Sequence, residues 1–142
     1  MKEEDQAVAM LQKVPLFAGL QQKDLKRIAE SFKERQYGPN HVIEGEGDKG
    51  VSFFLIKDGQ VSIKKGNRTL ATLGPGQFFG EMALLDGQPR SATAVTGDGP
   101  ATCLVITSWA WDGFLKSKPE IAISLLKEVA RRLRETDKKL IE

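Results

Sequence analysis

Gly80 and Glu81, followed by Arg90, Ser91 and Ala92, place in one short segment the residue types needed to hold an anion that also bears hydroxyl groups. Glycine has no Cβ, so the backbone at Gly80 can come close to a ligand. Glu81 to Leu85 can form a single helical turn whose first N–H groups lack partners and attract negative charge. The guanidinium of Arg90 is a planar fork of donors suited to two phosphate oxygens. Ser91 and Ala92 are small enough for their backbone N–H groups to reach the same anion. Glu81 repels an anion, so its carboxylate is better placed to accept from a sugar hydroxyl. A phosphate joined to a ribose, that is, a nucleotide, meets both demands. The competing reading is a surface hairpin with a solvated arginine. It leaves the Gly-Glu pair, the Pro-Arg pair and the run of small residues unrelated.

The surrounding sequence supplies helices at both ends and strands between. Glu3 to Lys13 reads as a short helix that stops before Val14-Pro15, because the residue before proline avoids the helical region. Gln22 to Lys33 reads as a second helix, with Leu25, Ile28, Ala29 and Phe32 on one face. From Gln36 to about Ile106 short apolar stretches recur at Val42-Ile43, Val51 to Ile56, Val61 to Ile63, Leu70 to Leu73 and Ala101 to Ile106. Glycine-rich turns separate them, which argues for an antiparallel sandwich or barrel. Ser108 is suited to cap a helix through Trp109, Trp111, Phe114 and Leu115. A last helix runs from about Glu120, with Ile121, Leu125, Leu126, Val129, Leu133 and Leu140 as its apolar stripe.

The chain has 142 residues and a net charge of +2, which fits one domain and gives no broad attraction for nucleic acid or acidic membranes. Its one cysteine, Cys103, excludes an intrachain disulfide and points to a reducing, cytoplasmic setting. No apolar run approaches membrane-spanning length, and no membrane partner is expected. One histidine, His41, and one cysteine offer neither a metal cluster nor a nucleophilic triad. No catalytic residue, metal or cofactor is therefore expected. The basic residues Lys127, Arg131, Arg132, Arg134, Lys138 and Lys139 alternate with Glu128, Glu135 and Asp137, a solvated face with i,i+4 pairs.

The segment from Phe79 to Ala94 resembles, without a gap, the phosphate-binding cassette of cyclic nucleotide-binding domains. These modules occur in protein kinase A regulatory subunits, cyclic-nucleotide-gated channels and bacterial catabolite activator proteins. Val14 to Leu20 is similar to the family's opening, and Phe53 to Val61 to its hairpin with a glycine at the turn. The resemblance implies an α+β fold: an antiparallel β jelly-roll, or double-stranded β-helix, flanked by N- and C-terminal helices. It implies one domain, with N-terminal helices over 1–34, the roll over 35–107 with the cassette at 78–94, and C-terminal helices over 108–142.

By the same resemblance Arg90 binds the exocyclic oxygens of a cyclic phosphate, and Glu81 accepts from the ribose 2′-hydroxyl. Gly80, Ala83, Ser91 and Ala92 offer backbone or hydroxyl groups. Met82 is counted with the site, although the side chains of Met82, Leu84 and Leu85 read as core. Ala130 to Thr136 resembles the helix in catabolite activators where a threonine meets the adenine amino group, which places Thr136 at the base. Asp137 departs from the serine those proteins carry next.

The ligand expected is a 3′,5′-cyclic nucleotide, cAMP before cGMP, bound by a regulatory module that closes its last helix over the base. The alternative is the effector-binding part of a catabolite-activator-type transcription factor, or of another larger regulated protein. Within these residues no helix-turn-helix follows the long helix, so no direct nucleic-acid contact is expected of this domain. A downstream or fused effector is expected, and the last helix is a candidate surface for pairing with a second copy. A phosphodiesterase would need metal ligands that this sequence lacks.

Overall fold

The computed structural model describes residues 3–14, 17, 19–80 and 87–141, which divide into two compact units: residues 30–111, and residues 1–29 with 112–142. The first is a β-roll with eight strands among the described residues: β1 (Lys33–Tyr37), β2 (Val42–Glu44), β3 (Ser52–Asp58), β4 (Val61–Lys65), β5 (Arg68–Leu73), β6 (Phe78–Phe79), β7 (Thr93–Thr96) and β8 (Ala101–Thr107). They form two four-stranded antiparallel sheets, ordered β1-β8-β3-β6 and β2-β7-β4-β5. This is the jelly-roll expected from the sequence. β4 pairs with its sequence neighbour β5, while β1 pairs with β8 and β2 with β7 across long sequence separations.

β3 explains why its sequence is a continuous apolar run rather than an alternation. Phe54 and Ile56 join a core with Val61, Phe79, Ala94, Cys103 and Val105. Phe53 points the other way and stacks on Trp111, at 4.7 Å between ring centroids and 8° between planes. A strand buried on both faces loses the period of two. Burial pushes the Cys103 thiol up to about 11, so it stays protonated and unreactive at neutral pH.

Three strands escape a reading by apolar pattern. Sequence periodicity carries the second helix to Lys33, but that helix ends at Ser31 and the chain turns into β1 at Lys33. β1 is Lys-Glu-Arg-Gln-Tyr, an edge strand exposed over most of its length, and its pairing with β8 rather than burial makes it a strand. β6 lies inside the segment read as a ligand loop and β7 starts at its end, where it alternates buried Ala94 and Thr96 with half-buried neighbours.

The β3–β4 turn depends on Gly59, whose φ of 85° lies in the left-handed region. A Cβ there would collide with the backbone oxygen of Pro100 and stand 2.8 Å from Ala101 Cα. Gly59→Ala therefore combines backbone strain with overpacking, each about 1–3 kcal/mol. A drop in unfolding midpoint of about 10 °C is expected in a thermal melt. A midpoint within about 2 °C of wild type, less than 1 kcal/mol, would mean that the turn relaxes freely.

The second unit is helical: α1 (Glu3–Gln12), α2 (Gln22–Ser31), the later part of α3 (Ser108–Ser117), and α4 (Pro119–Ile141). Leu11, Val14, Phe17, Leu25 and Ile28 are buried there. Buried Asp24 on α2 pairs with Lys118, between α3 and α4, at 3.3 Å. The expected stripe on α4 divides in two. Ile121 and Leu125 are buried, while Leu126 and Leu133 are 67% and 60% exposed. Leu140 has no described side chain.

Candidate functional site

β6 delivers the chain to Gly80, beside the start of β3, because Phe79 pairs with Phe54. Gly80 has φ 91°, a conformation that glycine adopts without strain. A Cβ at this position would lie 2.8 Å from Arg90 Nη1 and 3.0 Å from the backbone oxygen of Ser52. Glycine is thus required here by the arginine as much as by the turn. Glu81, Met82 and Ala83, and the helical turn expected from Glu81 to Leu85, lie outside the described residues.

Arg90 is held from two directions. Its backbone N–H donates to Asp48 O at 2.7 Å, and its carbonyl accepts from the Gly47 N–H at 2.9 Å. Glu46 N–H donates to Thr93 Oγ1 at 2.9 Å, so the β2–β3 loop is stitched to the segment that carries the arginine. The side chain turns inward and is 6% exposed. Nη1 donates to Gly80 O at 2.8 Å and Nη2 to Ser52 O at 2.6 Å. Glu44 Oε1 lies 3.5 Å from Nη2, and the Phe54 ring lies under the guanidinium at 5.8 Å. Nε is buried and has no partner among the described residues. A buried donor without an acceptor is costly. A fixed cation with an unfilled N–H is equipped to receive an anionic oxygen.

Of the other expected residues, Ser91 is exposed and Ala92 half-buried, both directly after Arg90. Thr136 lies on α4, with its backbone alone described. The structure brings Gly80, Arg90, Ser91 and Ala92 into one neighbourhood of the β-roll. Sequence reasoning missed Glu44, Ser52 and Phe54 around the guanidinium. They lie 46, 38 and 36 positions before Arg90; the pairing of β2 with β7 joins Glu44 to it, and the pairing of β3 with β6 joins Ser52 and Phe54.

His41 is exposed, its N–H donating to Thr96 Oγ1 at 2.7 Å. Among the described residues, no group of three or more His, Cys, Asp or Glu side chains converges as metal ligands do. On α4, Arg131 bonds Glu128 and Glu135, both at 2.6 Å, and Arg132 approaches Glu128 at 3.3 Å. The Arg131 hydrogen bond holds the Glu128 carboxyl below the usual carboxylate range. This is the internally paired helix face expected from the charge pattern.

A jelly-roll flanked by helices, with a buried arginine seated against a left-handed glycine, defines an anion-binding regulatory module. The sequence pattern of the family described as cyclic nucleotide-binding domain matches residues 34–118, and the chain belongs to that family. It is 36% identical over 131 residues to the cyclic AMP receptor protein of Thermus thermophilus, covering 89% of this chain and 60% of the receptor. It is 30% identical over 132 residues to a cGMP-dependent protein kinase of Toxoplasma gondii, covering 93% of this chain and 13% of the kinase. It superposes with a TM-score of 0.81 on a cyclic nucleotide-binding domain from Methylobacillus flagellatus, at 25% identity, covering 97% of this chain and 82% of that one. The chain thus spans 60% or less of these two curated relatives, which are longer proteins. It resembles regulatory modules rather than catalytic domains.

Proposed function

We propose that this domain senses cAMP, binding one molecule per chain through Gly80, Glu81, Met82, Ala83, Arg90, Ser91, Ala92 and Thr136. The observation that carries the reading is the buried Arg90 beside Gly80, its Nε without a partner among the described residues. Arg90 takes the cyclic phosphate, Glu81 the ribose hydroxyl and Thr136 the edge of the base. The likeness to a cyclic AMP receptor over most of the chain supports adenine, while the likeness to a cGMP-dependent kinase keeps guanine as the competitor. Ser91 is neither a threonine that bonds a guanine amino group nor an alanine that forgoes the contact.

Ligand binding shifts the equilibrium between two arrangements by its differential affinity for them. The signal passes to a fused or separate effector in a reducing, cytoplasmic setting, as in a larger regulated protein. Calorimetric titration with cAMP and cGMP tests the reading on protein freed of co-purified nucleotide. One site per chain with tighter cAMP binding is expected. Equal or tighter cGMP binding would overturn the base assignment, and no heat with either would overturn the function.

A second reading concerns α4. Leu126 and Leu133 are exposed and seven residues apart, and Leu140 continues the spacing in sequence. That repeat suits pairing with the same helix of a second copy. Sedimentation equilibrium tests it: dimers are expected for the wild type and monomers for Leu126→Glu/Leu133→Glu. A monomeric wild type at high concentration would leave the stripe to the lid role.

A further inference from the structure

The guanidinium of Arg90 already has an anion beside it. Glu44, at the end of β2, places Oε1 3.5 Å from Nη2, and its side chain is only 18% exposed. That separation exceeds the roughly 2.7–2.9 Å of a tight charge-assisted hydrogen bond, so the contact compensates charge without locking the pair. Glu44 also lines a cavity of about 290 Å³, together with Ser52 and Phe54 from the seat of the arginine and with Lys33, Arg35, Tyr37 and Thr107. Lys33 and Arg35 are exposed residues of β1 and make no ion pair among the described residues. The Tyr37 phenol reports on this space: burial raises its pKa first, then Cys103, with Arg35 opposing the rise and Glu44 adding to it. One carboxylate therefore neighbours Arg90 and borders an open space that Lys33 and Arg35 also line.

We propose that Glu44 is the built-in counter-ion of Arg90, and that it sets the affinity of the site by moving to Lys33 and Arg35 when a phosphate arrives. The inference rests on the nucleotide-binding reading above. A phosphodiester approaching Arg90 brings a second negative charge to a guanidinium that Glu44 already neutralises. Like charges repel strongly where water is largely excluded. Movement of the carboxylate into the cavity relieves that repulsion and places it beside two cations. Ser52 O and Gly80 O keep the guanidinium in its seat meanwhile. Glu44 is thus a positioning residue that acts on the ligand through Arg90, and Lys33 and Arg35 act at one further remove.

The test is titration of cAMP, with cGMP as a second probe, against four folded proteins. They are the wild type, Glu44→Gln, Lys33→Gln/Arg35→Gln, and the triple variant. Glu44→Gln is expected to bind about tenfold tighter, a change that one relieved charge contact can supply. Lys33→Gln/Arg35→Gln is expected to bind about three- to tenfold weaker, because the carboxylate loses its second berth. In the Glu44→Gln background the same two substitutions should change affinity by less than about twofold. Equal or weaker binding by Glu44→Gln overturns the proposal. So does an equal cost of the Lys33 and Arg35 substitutions in both backgrounds, the signature of a general surface field. If Glu44→Gln does not fold, the exposed-site variant still decides, and wild-type affinity in it overturns the proposal. A wild type that binds neither nucleotide overturns the functional reading as well, whereas a wild type that binds without this pattern overturns the inference alone.

Discussion

Arg90→Ala is expected to lose nucleotide binding by at least about tenfold and toward a hundredfold, and to unfold more easily. The binding loss follows from removing a charge-assisted contact to phosphate, about 1.5–3 kcal/mol. The sequence alone presents Arg90 as a ligand residue whose removal leaves the fold intact. Its burial changes that expectation. Alanine would orphan Gly80 O and Ser52 O, leave largely buried Glu44 without its cation, and open a space over the Phe54 ring. Breaking a buried pair from one side costs about 3–5 kcal/mol, and about 3 kcal/mol is reasonable here because Glu44 keeps some water. Arg90→Lys retains the charge but reaches fewer acceptors, so it should recover part of the stability and little of the binding. Urea unfolding without ligand, together with titration under conditions where the variant is folded, measures both effects. Binding within about twofold of wild type, less than one charged hydrogen bond contributes, would remove Arg90 from the phosphate site. Unchanged stability would mean that its seat in the β-roll carries no energy.

The two roles of Arg90 mark what could and could not be read from the sequence. The segment around Gly80 and Arg90 is legible because its chemistry is local: a glycine, a fork of donors and small neighbours in close succession. Strands with apolar runs, such as β3 and β8, are legible because burial of side chains selects them. β1 is not, because a polar edge strand is chosen by a free row of hydrogen-bonding groups on β8, a partner about seventy residues away. Glu44 was hidden for the same reason. In sequence it is one more carboxylate after an apolar pair, and only the fold places it against Arg90. The stripe on α4 was half legible. Its helical period is plain, but periodicity cannot tell which apolar positions the chain itself covers, and Leu126 and Leu133 remain exposed.

Gly80→Ala is expected to reproduce much of the Arg90 phenotype without touching the arginine. The residue sits at φ 91°, where any side chain is strained, at a cost of about 1–3 kcal/mol. The added methyl would meet Arg90 Nη1 at 2.8 Å and Ser52 O at 3.0 Å. The Ser52 oxygen belongs to a paired strand and yields little, so the arginine must shift. Shifting it lengthens the hydrogen bond from Nη1 to Gly80 O and moves the fork away from an incoming phosphate. Stability should fall by about 2–4 kcal/mol in all, and affinity by at least about tenfold. Coupling between the two positions separates eviction of Arg90 from simple turn strain. If the methyl acts by displacing the guanidinium, Gly80→Ala should cost less stability in an Arg90→Ala background, because the colliding group is gone and only backbone strain and the Ser52 contact remain. Strictly additive losses, or a Gly80→Ala variant that binds nucleotide like the wild type, would mean that the close approach of Gly80 to Arg90 does not hold the site in shape.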